Sequence, residues 1–199
     1  MAGPSMPRAT FYFDLGSPYA YLTAERISGL FTEAELEQPE WQPILLGGLF
    51  RRFERDSWGN GAERGAGMAE VERRAAAYGL PPVAWPEPWP GNMLFAMRAA
   101  TFAKQTGRTV AFALAAFRQA FAAGRDLSEP DNVTIAAAAC ELHPNALLKA
   151  VETEIVKNGL REATDRAGDL DVTGVPSLVV DGQVFWGDDR VEEAVAAAS

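Results

Sequence analysis

The sequence predicts an α/β fold in which a four-stranded mixed sheet is interrupted by a large helical insertion. Runs typical of strands lie near both ends of the chain, at residues 10–14, 40–46, 177–180 and 183–187. The stretch between them, from residue 47 to about 166, is alanine-rich and helical in pattern. We therefore expect the two ends of the chain to build one sheet, with helices on its faces.

The N-terminal part, residues 1–46, is predicted to contain a strand, a helix and a second strand. Ser17-Pro18 follows the first strand, and proline suits the first turn of a helix because that N–H has no helical partner. An apolar stripe at helical spacing continues to about Phe31. A strand, a helix and a strand in this order form a βαβ unit, which implies parallel strands and a right-handed crossover.

Residues 47–168 are predicted to be a helical insertion domain. Gly107 and Gly124 are suited to end helices, and Asp131 is the expected N-cap of a later one. The stretch PPVAWPEPWPGN (81–92) is expected to be a rigid loop, because proline cannot donate to a strand ladder. Helices are expected at residues 66–79, 93–106, 109–123, 131–142 and 144–158.

The C-terminal part, residues 169–199, returns to strands and ends in a helix. The Asp181-Gly182 dipeptide between two strand-like runs favours a type I′ hairpin turn. The last segment, DDRVEEAVAAA (188–198), carries acidic residues in its first turn, where the helix dipole favours them. A βαβ unit, a helical block and a ββα unit, in that order, predict the thioredoxin fold with an internal helical domain.

Val175-Pro176, immediately before the strand at 177–180, forms a pair with Ser17-Pro18. In thioredoxin folds the proline at this place is cis and faces the N-terminus of the first helix. An ordinary turn before a strand is the alternative for Gly-Val-Pro. Because both features occur together, we favour a binding role, in which the backbone at Val175 pairs with an extended thiol peptide.

Four separated segments carry a resemblance to a known family: FYFDLGSPYAYL, PILLGGLF, PGNMLFAMRAA and TGVPSLVVDGQVFWGDDR. Together they resemble the glutathione-dependent 2-hydroxychromene-2-carboxylate isomerases and the related kappa-class glutathione transferases, in the DsbA-like branch of the thioredoxin folds. The resemblance spans nearly the whole chain. It implies glutathione, or another low-molecular-weight thiol, as the cofactor, and a homodimer as the assembly.

Oxidoreductases of this branch carry Cys-x-x-Cys where this chain has Ser17-Pro18-Tyr19-Ala20. Dithiol–disulfide exchange by that route is therefore excluded. A helix N-terminus stabilises a thiolate, and the Ser17 hydroxyl is suited to donate a hydrogen bond to a thiolate that a ligand supplies. A nucleophilic serine would need an adjacent base, and the only histidine, His143, is far along the chain. An N-cap worth about 1 kcal/mol is the alternative, and it is compatible with the thiolate role.

The resemblance implies further contacts with the thiol ligand. Val175, before Pro176, would pair its backbone with the cysteinyl part, and Asp188 and Asp189 match the position that receives the γ-glutamyl ammonium. An aspartate at a helix start is commonly only a cap, so that alternative stays open. The second substrate, a small electrophile or aromatic compound, is expected between the sheet and the helical block. The candidate lining residues are Tyr19, Phe50, Trp58, Trp85, Trp89 and Asn92.

Alternatives remain for several of these residues. Trp85 and Trp89 form either an aromatic wall or internal loop packing, and Asn92 is also a natural N-cap. The stretch 50–67 departs from the family pattern. Its arginines either meet an anionic substrate or lie in solvent on a mobile lid. They are Arg51, Arg52, Arg55 and Arg64.

Three functions are compatible with these features. The first is a glutathione-dependent isomerase, in which a thiolate adds reversibly to an activated double bond, the resulting single bond rotates, and elimination returns the thiol. The second is a kappa-like transferase or peroxidase that uses the same thiolate. The third is a non-catalytic module that binds thiol peptides.

Composition excludes other classes of function. The net charge of −9 argues against a nucleic-acid partner, and no run reaches the roughly 18 apolar residues of a membrane span. The N-terminal segment does not read as a signal peptide, and a single cysteine, Cys140, suits a reducing cytoplasm. One histidine and one cysteine, widely spaced, are not a zinc site, so no metal is expected.

Overall fold

The computed structural model describes residues 8–199. Residues 1–7, which belong to the predicted first part of the sheet domain and to the segment without a signal peptide pattern, lie outside the described residues. Four strands form one sheet in the order β2-β1-β3-β4. They are β1 (Ala9–Phe13), β2 (Glu40–Pro43), β3 (Ser177–Val180) and β4 (Gln183–Trp186). The strand β1 runs parallel to β2 and antiparallel to β3, which confirms the mixed four-stranded sheet.

Ten α-helices lie in the described part of the chain, seven of them between β2 and β3. A π-helical turn at Arg118–Ala122 and 3-10 turns at Trp58–Asn60 and Asp188–Arg190 join some of them. The α-helices are α1 (Pro18–Ala24), α2 (Ile27–Glu33), α3 (Leu46–Arg52), α4 (Arg64–Ala77), α5 (Leu94–Gln105), α6 (Thr109–Phe117), α7 (Pro130–Ala139), α8 (Pro144–Ala150), α9 (Glu154–Asp169) and α10 (Val191–Ala197).

The strand predicted at 40–46 is too long, and the helix α3 that follows it was not predicted. The β2 ladder ends at Pro43, and the Leu46 N–H donates to the buried Asp14 carboxylate at 2.8 Å. This contact turns the chain out of the sheet and into α3. Sequence periodicity does not register such a turn, because the acceptor is a side chain from another strand.

Two predicted helices are each divided in two. The first predicted helix breaks between α1 and α2, and the predicted helix at 144–158 breaks between α8 and α9. At the second break the Thr153 hydroxyl caps α9 by accepting from the Val156 N–H. Asp131 is not the N-cap of α7, because Pro130 already occupies the first turn and the cap position falls at Glu129.

The predicted turns are confirmed by the backbone. Gly107 and Gly124 have φ angles of 72° and 67° after α5 and the π turn, as a left-handed helix stop requires. Asp181 and Gly182 both have positive φ between β3 and β4, which matches a type I′ turn. In the described part of the chain, none of the helices has the length and apolar character to span a membrane.

One core joins the sheet to the helical block. Phe11 and Phe13 alternate on β1 toward the same face and are fully buried. The Phe13 ring lies 5.9 Å from the ring of Phe117 on α6, and Phe117 also contacts Tyr21 on α1. The helices between β2 and β3 therefore pack directly on the sheet, and Phe117 connects three elements.

We expect Phe117→Ala to lower the free energy of unfolding by about 3–5 kcal/mol, because it removes a buried ring and leaves a cavity. The measurement is denaturant unfolding followed by far-ultraviolet circular dichroism. Ile155→Ala is the control, since Ile155 is 75% exposed and its truncation is expected to cost little. Equal losses in the two variants would contradict the assignment of Phe117 to the core.

Candidate functional site

Ser17 lies in the turn that leads from β1 into α1. Its N–H donates to the Asp14 carbonyl at 3.0 Å, and its Oγ accepts from the Ala20 N–H at 3.2 Å. The side chain is therefore the N-cap of α1, with Pro18 as the first helical residue. Ser17 is nevertheless 6% exposed and lines a cavity, so the cap does not remove it from contact with a ligand.

The Ser17 hydroxyl reaches the other end of the chain. Its Oγ donates to the Val175 carbonyl oxygen at 3.4 Å, and the Val175-Pro176 peptide bond is cis. A distance of 3.4 Å is long for an O–H donor, so the bond is weak and the proton is free to rotate toward a better acceptor. The structure thus brings Ser17 and Pro176 together, as the sequence pattern indicated.

Three cavities follow one another past Ser17 and form a continuous groove. The central cavity, of ≈ 200 Å³, is lined by Ser17, Tyr19 and Val175 among others. The Asp189 cavity, of ≈ 190 Å³, shares Tyr19, Val175 and Trp186 with it. The Asn92 cavity, of ≈ 360 Å³, shares Gly16, Leu46 and Phe50 with it on the opposite side.

All nine predicted site residues line this groove. Those of the central cavity include Phe50 and Trp89, and those of the Asp189 cavity include Pro176. The nine are Ser17, Tyr19, Phe50, Trp89, Asn92, Val175, Pro176, Asp188 and Asp189. Their roles toward a ligand stay predictions.

The two neighbouring aspartates differ in environment. Asp188 is 1% exposed, and its carboxylate accepts from Arg74 Nη1 at 2.6 Å and from the Tyr78 hydroxyl at 2.9 Å. Burial raises the pKa of Asp188, while these two donors lower it. Burial, together with the hydrogen bond to Asp188, raises the pKa of Tyr78 to about 12. Asp189 is exposed, so it is the carboxylate of the pair that a ligand cation reaches directly.

Arg74 and Tyr78, on α4 and just after it, were not singled out from the sequence. Arg74 lies between Glu70 and Asp188, and its guanidinium is 5.5 Å from the centre of the Tyr19 ring. An arginine in a predicted surface helix gives no local sign of such a partner, because Asp188 is 114 residues away.

The aromatic residues pack and line the groove at the same time. Trp89 is buried, donates from Nε1 to the Gly16 carbonyl at 3.1 Å, and lies 4.8 Å from both Trp58 and Trp85, measured between rings. Trp58 also lines the central cavity, whereas Trp85 lies outside the three cavities of the groove. The Asn92 side chain accepts from the Leu94 N–H at 3.0 Å and also lines its cavity.

The arginines of the segment 50–67 fall into two groups. Arg52 pairs with Asp169, and Arg64 donates to the Trp89 carbonyl, so both have internal partners. Arg55 lies 4.6 Å above the Trp186 ring and lines the central cavity, whereas Arg51 lines the Asn92 cavity. The structure therefore places two of the four arginines at the groove.

Asp14 is the buried carboxylate that joins the two sides of the groove. It is 2% exposed; one oxygen accepts from the Gly16 N–H and the other from the Leu46 N–H, both at 2.8 Å. Burial raises its pKa to about 6, although both hydrogen bonds lower it. The only signal in the sequence is an acidic residue at the end of an apolar strand, and no role was assigned to it.

The remaining titratable candidates lie away from the groove. His143 caps α8, with Nδ1 accepting from the Asn145 N–H at 3.2 Å, and Cys140 is buried. Across residues 8–199, no group of three or more histidine, cysteine, aspartate or glutamate side chains is placed to hold a metal ion.

Comparison with known proteins agrees with this architecture. The DSBA-like thioredoxin domain family matches residues 9–198. A 2-hydroxychromene-2-carboxylate isomerase of Sphingobium xenophagum is 27% identical over 188 residues, which cover 92% of this chain and 93% of the relative.

Two solved structures share the fold. One is a 2-hydroxychromene-2-carboxylate isomerase, with a TM-score of 0.83 at 19% identity, covering 95% of this chain and 93% of the other. The second is a "probable DsbA oxidoreductase" from Streptomyces coelicolor, with a TM-score of 0.74 at 20% identity, covering 97% and 90%. At these identities the structures support the fold alone.

We expect the free energy of unfolding of the native chain, measured relative to Asp14→Asn, to fall by about 3 kcal/mol as the pH rises from about 4 to about 6. The raised pKa means that folded Asp14 holds its proton more tightly than the unfolded chain does, so deprotonation favours unfolding. Denaturant unfolding at several pH values measures this difference.

Asp171→Asn, the same change at an exposed aspartate, is the control. A pH-independent difference between the native chain and Asp14→Asn would show that burial does not shift the Asp14 carboxyl.

Proposed function

We propose that this chain, which belongs to the DsbA-like thioredoxin domain family, is a glutathione-dependent isomerase of the 2-hydroxychromene-2-carboxylate type. The observation that carries the proposal is the position of the Ser17 hydroxyl, 3.4 Å from the carbonyl that precedes cis-Pro176, at the centre of a continuous groove. The 27% identical isomerase, matched over nearly the full length of both chains, supports the reaction class.

The groove suits a thiol peptide on one side of Ser17. The cysteinyl part would lie along Val175, whose carbonyl faces the Ser17 hydroxyl. The γ-glutamyl ammonium would reach the exposed carboxylate of Asp189, while Asp188 stays bound to Arg74 and Tyr78 and positions the turn. The peptide then runs from the Asp189 cavity into the central cavity.

Ser17 is suited to stabilise the thiolate of such a ligand. Its lone pair already accepts from the Ala20 N–H, and this leaves the hydroxyl proton to be donated to sulfur. The weak bond to the Val175 carbonyl is the only contact that the proton would give up. A donated hydrogen bond and the N–H groups of the first turn of α1 favour the thiolate over the thiol and lower its pKa.

The second substrate would lie in the Asn92 cavity, where Phe50 and Asn92 form part of the wall. The thiolate sulfur adds to the β-carbon of a double bond conjugated to a carbonyl, and the electron pair moves to the carbonyl oxygen as an enolate. The former double bond is now single and rotates. The enolate then expels the thiolate, so the isomer forms and the thiol is recovered unchanged.

We expect Ser17→Ala to lower kcat/KM for isomerisation by about a hundredfold, because it removes the donor that stabilises the thiolate. Affinity for glutathione is expected to fall by less than about tenfold, since the peptide contacts remain. Turnover is followed by ultraviolet absorbance with a panel of activated alkenes, and affinity by titration calorimetry.

Thr153→Ala is the matched control for Ser17→Ala, because it removes the capping hydroxyl of α9 outside the groove. Unchanged turnover in Ser17→Ala would contradict the catalytic role. In the native chain, a recovered thiol with a rearranged substrate supports isomerase action. A stable conjugate would instead indicate a transferase, and binding without turnover a thiol-peptide module.

We expect Asp189→Asn to weaken glutathione binding by about threefold, the range of an exposed ion pair. The affinity for a glutathione analogue that lacks the γ-glutamyl amino group should not change, because it offers no cation to Asp189. Titration calorimetry with both ligands gives the comparison. Equal weakening for the two ligands would place the ammonium elsewhere, and Asp171→Asn is the control.

A homodimer in the cytoplasm completes the proposal. The buried Cys140 is the one cysteine of the chain, which fits a reducing compartment. The assembly rests on the family resemblance, and light scattering of the purified chain tests it.

A further inference from the structure

A fourth cavity, the basic cavity, lies where α3, α5 and α9 meet. It has a volume of ≈ 280 Å³ and is lined by four cationic side chains: Arg51, Arg98, Lys157 and Arg161. One carboxylate, Asp165, is in its lining. This concentration of positive charge stands out in a chain whose net charge is −9.

The helix α9 supplies the wall through one face. Lys157, Leu160, Arg161 and Thr164 are spaced i, i+3, i+4 and i+7, so their side chains lie on the same side of the helix. Leu160 is buried, and the Thr164 hydroxyl is used internally, since it donates to the Leu160 carbonyl and accepts from the Leu45 N–H. The cations therefore surround an apolar floor.

The charges of the cavity are only partly compensated within the protein. Arg98 and Lys157 lie 4.0 and 3.4 Å from the carboxylate of Glu152, whose side chain is 67% exposed, and Lys157 is 3.8 Å from Glu154. Arg161 donates to the Asn158 side chain. Between residues 8 and 199, neither Arg51 nor Arg161 forms an ion pair.

We propose that the basic cavity binds a small molecule with two or more negative charges, carried by carboxylate or phosphate groups. Three guanidinium groups around one cavity match such anions, because each offers two parallel N–H donors to a pair of oxygens. The volume holds a small organic anion but not a nucleotide-sized ligand. This inference stands on the cavity alone and does not require the thiol chemistry proposed above.

The basic cavity is continuous with the groove. Leu45, Arg51 and Leu94 line both it and the Asn92 cavity. Arg51 therefore has access to ligands on either side. The bound anion is either a separate small molecule or the charged end of a longer ligand that also fills the Asn92 cavity.

Titration calorimetry without any thiol tests the site, with inorganic phosphate and the aromatic dicarboxylate phthalate as probes. We expect at least one anion to bind and its affinity to fall by about tenfold in Arg98→Gln and in Arg161→Gln. Arg166→Gln is the matched control, on the same helix but outside the cavity lining. Circular dichroism and unfolding midpoints verify that all variants fold alike.

Phe50→Ala distinguishes the two sources of the anion. If phthalate binding weakens in this variant as well, the ligand spans both cavities; if phosphate binds and Phe50→Ala has no effect, the anion is separate. Both results support the site. No heat from either probe, or equal losses in Arg166→Gln and Arg98→Gln, would overturn it, whatever the outcome of the glutathione experiments.

Discussion

The antiparallel pairing of β1 with β3 is the constraint on which the candidate site depends. Phe11 lies opposite Leu178 in this ladder, so the residues just after β1 and just before β3 meet at the same edge. Ser17 and Val175 are 158 positions apart in the chain, and no local interaction brings them together. The groove exists because the helical block leaves both strand ends accessible while it packs on the sheet through Phe13 and Phe117.

A buried carboxylate organises the same edge from within. Asp14 holds the turn before Ser17 through Gly16 and the start of α3 through Leu46, and it does so at an energetic cost, since burial raises its pKa. Such a group is retained where its hydrogen bonds fix geometry that an apolar side chain cannot fix. Here the fixed parts are the two walls between which Ser17 and Phe50 face the cavities.

Charge is distributed unevenly along the groove and beyond it. The Asp189 cavity is acidic, with Arg74 compensating the buried Asp188, whereas the basic cavity behind Asn92 collects four cations. A ligand with a cationic end and another with an anionic end would therefore be directed to opposite sides of Ser17. This polarity gives a physical reason for two substrates to meet at the hydroxyl in a defined order along the groove.

The sequence by itself determined the strands, most helices, the hairpin turn and the Ser17 and Pro176 positions, because periodicity, turn residues and capping patterns are local properties. Tertiary structure decided the rest. The end of β2 depends on Asp14, the function of Asp188 depends on Arg74 and Tyr78, and the basic cavity joins residues from three helices. These contacts link residues far apart in sequence, and their energies depend on burial and distance, which only the folded chain defines.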